Sequence, residues 1–179
     1  KGIEFGEPHL QPKDFDAVRD AGFDVILGAI HWIGDTPVAK LATTDIAVDR
    51  LFELYFEEIL AAVEFGGFDV LAHMDLPKRH VGRSCSLPDV TEKIFDAMLR
   101  NGIIPEVNTS TCGTKVGEPS PNLQLLQQWK SMGGHEVVIG SDAHKVDSIG
   151  QSFAQVKQLI EEAQLSYGLF RERRYHRLG

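Results

Sequence analysis

Short β-rich runs alternate with longer segments of helical spacing, and this constrains the 179-residue chain more than any other feature. Strands are expected over 2–6, 23–31, 68–73, 103–108 and 136–142, and helices over 12–21, 46–65, 88–100, 121–132 and 149–163. Strand, helix, strand in succession is the βα unit, which builds a parallel sheet covered by helices. Pro12, Pro88 and Pro121 suit first helical turns, where a missing N–H removes no helix bond. Gly22, Gly66, Gly67, Gly102, Gly133 and Gly134 stand where helix ends take a left-handed residue. Leu51, Phe52, Leu54, Tyr55, Ile59, Leu60 and Val63 give the longest helix one apolar face for the sheet. No linker and no other repeat breaks the pattern, so a single domain over 1–179 is expected.

A 42% hydrophobic content is enough for a core, and 18 Lys plus Arg against 26 Asp plus Glu leaves a net charge of -8. That balance disfavours non-specific attraction to nucleic acid or to an anionic membrane and favours a small substrate. Cys85 and Cys112 form neither a CxxC pair nor a disulfide framework, which fits a reducing compartment and no thiol chemistry. No apolar run is long enough to span a bilayer and no basic-then-apolar leader opens the chain, so a cytoplasmic location is expected.

Function should gather at the C-terminal edge of the strands, where βα loops meet; the irregular stretches 36–44, 80–88 and 110–120 all follow strand ends. Each strand delivers a polar group there: Glu4, His31, His73, Glu106 with Asn108, and Asp142 with His144. One such residue is usually a hydrogen-bonded rim residue; five strands doing it together point to metal. Imidazole with carboxylate suits zinc, manganese or iron better than calcium or magnesium. A metal-free hydrolase with a His–Asp relay would need a nucleophile, and Gly140-Ser141-Asp142 lacks the second glycine of a nucleophile elbow.

Gly2-Ile3-Glu4, Gly28-Ala29-Ile30-His31, Ala72-His73-Met74-Asp75-Leu76, Glu106-Val107-Asn108-Thr109-Ser110 and Gly140-Ser141-Asp142-Ala143-His144 resemble successive motifs of the polymerase and histidinol phosphatase (PHP) metallohydrolases, in order, from residue 2 to about 171. The match is to the histidinol-phosphatase-like branch. The resemblance implies a distorted (β/α)7 barrel of α/β class with up to three metals, commonly zinc, iron or manganese. It implies Glu4 bridging two metals, His31 and His73 completing the second site, Asp142 a ligand of the first, and His144 one of the third. The family's remaining ligands lie in an N-terminal His-x-His and in further histidines, and this sequence contains no His-x-His. The chain is thus expected to hold the C-terminal five βα units, with the first two missing, and about one metal from its own residues.

The implied reaction is hydrolysis of a phosphomonoester, histidinol phosphate by the branch resembled. Lys78, Arg79, Arg83 and Lys115 are the cations available to the phosphate. Glu106 and Asn108 could hydrogen-bond the ligands or simply finish a strand. His9, His80, His135 and His176 fall outside the site, His9 being the one to check because Glu7 shares its loop; the basic stretch 171–177 is expected to be a solvated tail. Glu4 facing Asp142 without metal should raise at least one carboxylate pKa. Two open sheet edges make homodimerisation the expected remedy. Alternatives are a non-catalytic or residually metal-binding interaction domain, and a phosphoesterase for another substrate such as a nucleotide end.

Overall fold

A computed structural model describes residues 1–179. In chain order the elements are β1 (Gly2–Gly6), α1 (Pro12–Arg19), β2 (Val25–Ala29), β3 (Trp32–Ile33), β4 (Thr36–Pro37), α2 (Val38–Leu41), α3 (Val48–Phe65), β5 (Val70–Leu71), α4 (Pro77–Val81), α5 (Pro88–Asn101), β6 (Ile104–Asn108), α6 (Leu123–Ser131), β7 (Glu136–Gly140), α7 (Phe153–Glu162), β8 (Ser166–Arg171) and β9 (Arg174–Arg177). The main sheet runs β1-β2-β5-β6-β7-β8-β9 and is parallel up to β8; β9 returns antiparallel to it. β3 and β4 form a separate small hairpin directly after His31.

The expected apolar face of α3 is the centre of the core. Leu51, Phe52, Tyr55, Ile59 and Val63 are fully buried, and the helix packs against Ile94, Phe95 and Met98 of α5. Pro12 and Pro88 open α1 and α5 as expected. Pro121 does not open α6: the helix starts two residues later, at Leu123, capped by Asn122, whose side chain accepts the Leu125 N–H at 3.1 Å. β5 starts later than its apolar run, and there Asp69 Oδ2, rather than a backbone carbonyl, accepts the Ile26 N–H at 2.8 Å.

The stretch 171–177 is not a solvated tail. Phe170 pairs with Tyr175 and Leu169 with His176, while Glu172 and Arg173 make a two-residue turn with both φ values positive, at 50° and 60°. The turn reaches the N-terminal ends of the opposite strands. Arg173 N donates to the Asp24 carbonyl at 2.9 Å, its Nε lies 2.6 Å from Asp69 Oδ2, and its Nη2 donates to the Gly67 carbonyl at 2.8 Å. This clamp curls the sheet and closes one end of the barrel. Inside lies a cavity of about 240 Å³ lined mainly by Val25, Leu27, Val70, Val138, Leu169 and Phe170. Several of these inner-face residues remain only half-buried, as expected for a sheet with two edges. β1 leaves one edge open, while on β9 the exposed Arg174 and Arg177 charge the other. No helix is long and apolar enough to cross a membrane.

Candidate metal centre

Three neighbouring strands bring their end residues to one point. Glu4 lies in β1, while His31 and His73 follow β2 and β5 by two residues each. One donor atom from each lies within 4.8 Å of the other two. Glu4 sits between the imidazoles, with Oε1 3.4 Å from His31 Nε2 and Oε2 3.8 Å from His73 Nε2. His73 is buried, whereas Glu4 and His31 are about two-fifths exposed, so the cluster has a fixed floor and an open mouth. His31 and His73 together hold the Glu4 carboxyl well below the usual carboxylate range, chiefly through hydrogen bonds, and Glu4 in turn raises the His31 pKa. The rise expected for at least one of the two facing carboxylates does not fall on Glu4, because there the two imidazoles outweigh desolvation. Two nitrogens and one carboxylate oxygen, all within reach of one point, fit a divalent transition ion.

Asp142 stands beside this cluster, near enough for its charge to help raise the His31 pKa. Its Oδ2, however, is 2.6 Å from Arg79 Nη2, and that same Nη2 donates to Ser110 Oγ at 2.6 Å. His144 is 85% exposed; its Nδ1 lies 3.0 Å from the Asp142 carbonyl and 3.7 Å from Asp142 Oδ1. The structure thus gathers Glu4, His31 and His73, pairs Asp142 with a cation, and leaves His144 facing solvent.

The four candidate cations separate clearly. Arg79 is at the site. Lys78 is fully buried and faces away from it: Nζ is 2.7 Å from Asp75 Oδ2, 3.4 Å from Glu118 Oε1, and donates to the Pro119 carbonyl. Its role in phosphate binding is corrected accordingly, because a cation neutralised in the interior has no free donor for a ligand. Arg83 is also redirected, pairing at 3.4 Å with Asp49 on the surface. Lys115 is exposed and makes no ion pair.

Two carboxylates behind the cluster do more than the sequence suggested. Glu7 is buried in a left-handed conformation (φ 47°), and its Oε1 accepts the backbone N–H groups of His31 and Trp32. His9 is turned away to Glu58, 3.0 Å distant, whose other oxygen accepts the Gly34 N–H. Glu106 is buried, and desolvation raises its pKa; Oε2 accepts the His73 N–H at 3.1 Å and Asn108 Nδ2 at 3.0 Å. The sequence signal for Glu7 was its place in the first turn beyond β1, level with the ligands.

A parallel sheet curled into a barrel, with imidazole and carboxylate groups at its C-terminal edge, is the fold expected from the PHP resemblance. A crystal structure of histidinol phosphate phosphatase from Lactococcus lactis, complexed with zinc, L-histidinol and phosphate, has the same fold: TM-score 0.82 over 97% of this chain and 70% of that one, at 19% identity. The sequence is similar to those of probable histidinol-phosphatases as well. It is 30% identical over 153 residues to a probable histidinol-phosphatase of Thermotoga maritima, covering 85% of this chain and 61% of that protein. It is 27% identical over 182 residues to one of Clostridium acetobutylicum, covering 96% and 71%. The chain thus spans about three fifths of the Thermotoga protein's length. No protein-family profile matches the sequence.

Proposed function

We propose that the chain carries much of the active site of a metal-dependent phosphomonoesterase whose substrate is histidinol phosphate, released as histidinol and inorganic phosphate in histidine biosynthesis. The observation that carries this is the convergence of Glu4, His31 and His73 within 4.8 Å, beside Arg79. Glu4, His31 and His73 would hold a divalent ion, which would supply activation of a bound water and polarisation of the phosphoryl oxygens. Zinc, manganese and iron suit the donors, and about one ion per chain is expected from this triad. The zinc, histidinol and phosphate in the Lactococcus protein support the same class of ligands.

Each residue gathered at the site has a role in this reading. Glu4 supplies the anionic oxygen between two imidazoles, His73 is fixed by burial, and His31 is held through its backbone by Glu7. Arg79 is the phosphate-binding cation, its planar fork suited to two phosphoryl oxygens. Asp142 now occupies that guanidinium; as a ligand of a further metal it would exchange Arg79 for the ion and leave Arg79 to the substrate. His144, exposed on the same loop, would join that outer set, and Lys115 remains a candidate for the rim. Homodimerisation would use the β1 edge, since the arginines of β9 oppose pairing with their own kind. A cytoplasmic site of action fits a biosynthetic role.

The test is phosphate release from histidinol phosphate by metal-loaded chain, with and without chelator, beside metal analysis of the same preparation. Release that requires the metal and falls on Arg79→Ala supports the reading. A metal-loaded chain that spares histidinol phosphate but cleaves another phosphoester changes the substrate. A metal-loaded chain that cleaves none, even when extended to its relatives' length, favours the interaction-domain alternative.

A further inference from the structure

An unbroken run of hydrogen bonds joins the Arg79 guanidinium to the His73 backbone, with its donors converging on Glu106 from both sides. Arg79 Nη2 donates to Ser110 Oγ at 2.6 Å, Ser110 Oγ donates to Asn108 Oδ1 at 2.6 Å, and Asn108 Nδ2 donates to Glu106 Oε2 at 3.0 Å. The same oxygen accepts the His73 N–H at 3.1 Å. Glu106 is therefore the common acceptor for both halves of the site. His73 needs such a restraint: its φ of 26° lies in the left-handed region, which a residue with a β-carbon keeps only when its surroundings hold it there. Glu106 in turn has room only because residue 140 is glycine, since a Cβ there would lie 1.8 Å from Oε1.

We propose that Glu106, seated against Gly140, is a positioning residue that sets the His73 imidazole for the metal and, through Asn108 and Ser110, aims Arg79 at the phosphoryl group. This rests on the reading of the triad as a metal site and of Arg79 as the anion-binding cation. Ligand-orienting partners of this kind typically contribute a factor of roughly 10–100 to metal affinity. A carboxylate that merely stabilised the fold would leave the zinc affinity of the folded chain unchanged.

The experiment is zinc affinity by chelator competition on the full chain, with the unfolding midpoint of the metal-free protein measured alongside. Glu106→Ala is expected to weaken zinc by roughly 10–100-fold, and Glu106→Gln, which keeps an acceptor oxygen, to restore affinity close to wild type. Gly140→Ala should weaken zinc as well, by displacing the carboxyl. In the Glu106→Ala background it should cost nothing more, because the group its methyl displaces is already gone. Folded Glu106→Ala with wild-type zinc affinity overturns the proposal, whatever its midpoint. Should Glu106→Ala fail to fold, Gly140→Ala decides: wild-type zinc affinity there overturns it equally. On the other half, Asn108→Ala should weaken inorganic phosphate binding to the zinc-loaded chain, and unchanged phosphate affinity removes that limb. A wild-type chain that takes up no zinc defeats the metal reading itself, before any variant is compared.

Discussion

At the N-terminal end of the barrel, the donors of the Arg173 clamp that reach the opposite strands all find acceptors. Its backbone N–H, Nε and Nη2 meet Asp24, Asp69 and Gly67, and Asp69 also takes the Ile26 N–H. The positive φ values of the clamp, at Glu172 and Arg173, belong to a hairpin turn whose twist requires them. At the C-terminal end, Glu7, His73 and Asp142 hold left-handed backbones outside any such turn, and His9 Nδ1, His73 Nδ1 and Thr109 Oγ1 are buried without a hydrogen-bond partner. Strained and under-satisfied groups persist where a site is made, because the rest of the fold holds them in place. One end of this barrel therefore maintains the structure and the other is arranged for a ligand, and mutation should separate the two.

The sharpest break is His73→Ala. Losing one of three ligands should reduce zinc affinity by more than the roughly 100-fold attached to an orienting partner, while the metal-free chain stays folded; chelator competition and circular dichroism measure both. At the opposite end, Arg173→Ala should lower stability by about 2 kcal/mol, as expected for charge-assisted hydrogen bonds to a largely buried carboxylate, and should leave zinc affinity unchanged. Denaturant titration against metal competition checks that division. If Arg173→Ala weakened zinc as strongly as His73→Ala, the two ends would not be independent.

The metal-free cluster also has a pH signature. The His31 pKa is raised above its ordinary 6.5, so its pairing with Glu4 stabilises fully below that value and is lost as pH rises through the folded pKa. The Glu4 pKa is lowered from 4.5, so the same pairing is present above pH 4.5 and is lost as pH falls through the depressed value. Both side chains are about two-fifths exposed and screened, which limits the effect to about 1 kcal/mol. The stability difference between chelator-treated wild type and His31→Asn should therefore be largest near pH 5.5 and shrink by pH 8.5; a difference that grew with pH would contradict the pairing. The smallest effect belongs to Arg83→Ala, whose exposed pair with Asp49 should be worth under about 0.5 kcal/mol. Phosphate affinity should not change, in contrast to Arg79→Ala.

The triad was legible because strand ends and residue chemistry are both local properties: an apolar run closing on His or containing Glu marks a position on the C-terminal edge. Lys78 and Arg79 were not separable in sequence, since adjacent cations look alike until a helix from Pro77 to Val81 turns one inward to Asp75 and the other outward to Asp142. The Pro77 start and the left-handed Gly82 end of that helix were there to be read, but five residues carry too little periodicity to reveal it. The closing hairpin was hidden for a different reason. Its turn is made by Glu172 and Arg173, in a conformation usually given to glycine or asparagine, and the run of arginines resembled a solvated end. What selected strand over tail was the tertiary docking of Arg173, which lies 104 residues from Asp69.

That separation fixes the order in which the barrel can be completed. The starts of β2 and β5 leave the ribosome long before residue 173, so the groups of Asp24, Gly67 and Asp69 that accept from Arg173 must wait for it while more than half of the chain is made. A contact of such long range adds its stabilisation only after the intervening loop has been closed. The βα units can collapse as they emerge, but the clamped end is sealed last, and until then the interior between β2 and β8 stays open to water. Closure of the barrel is thus a late and cooperative event in folding, timed by one arginine.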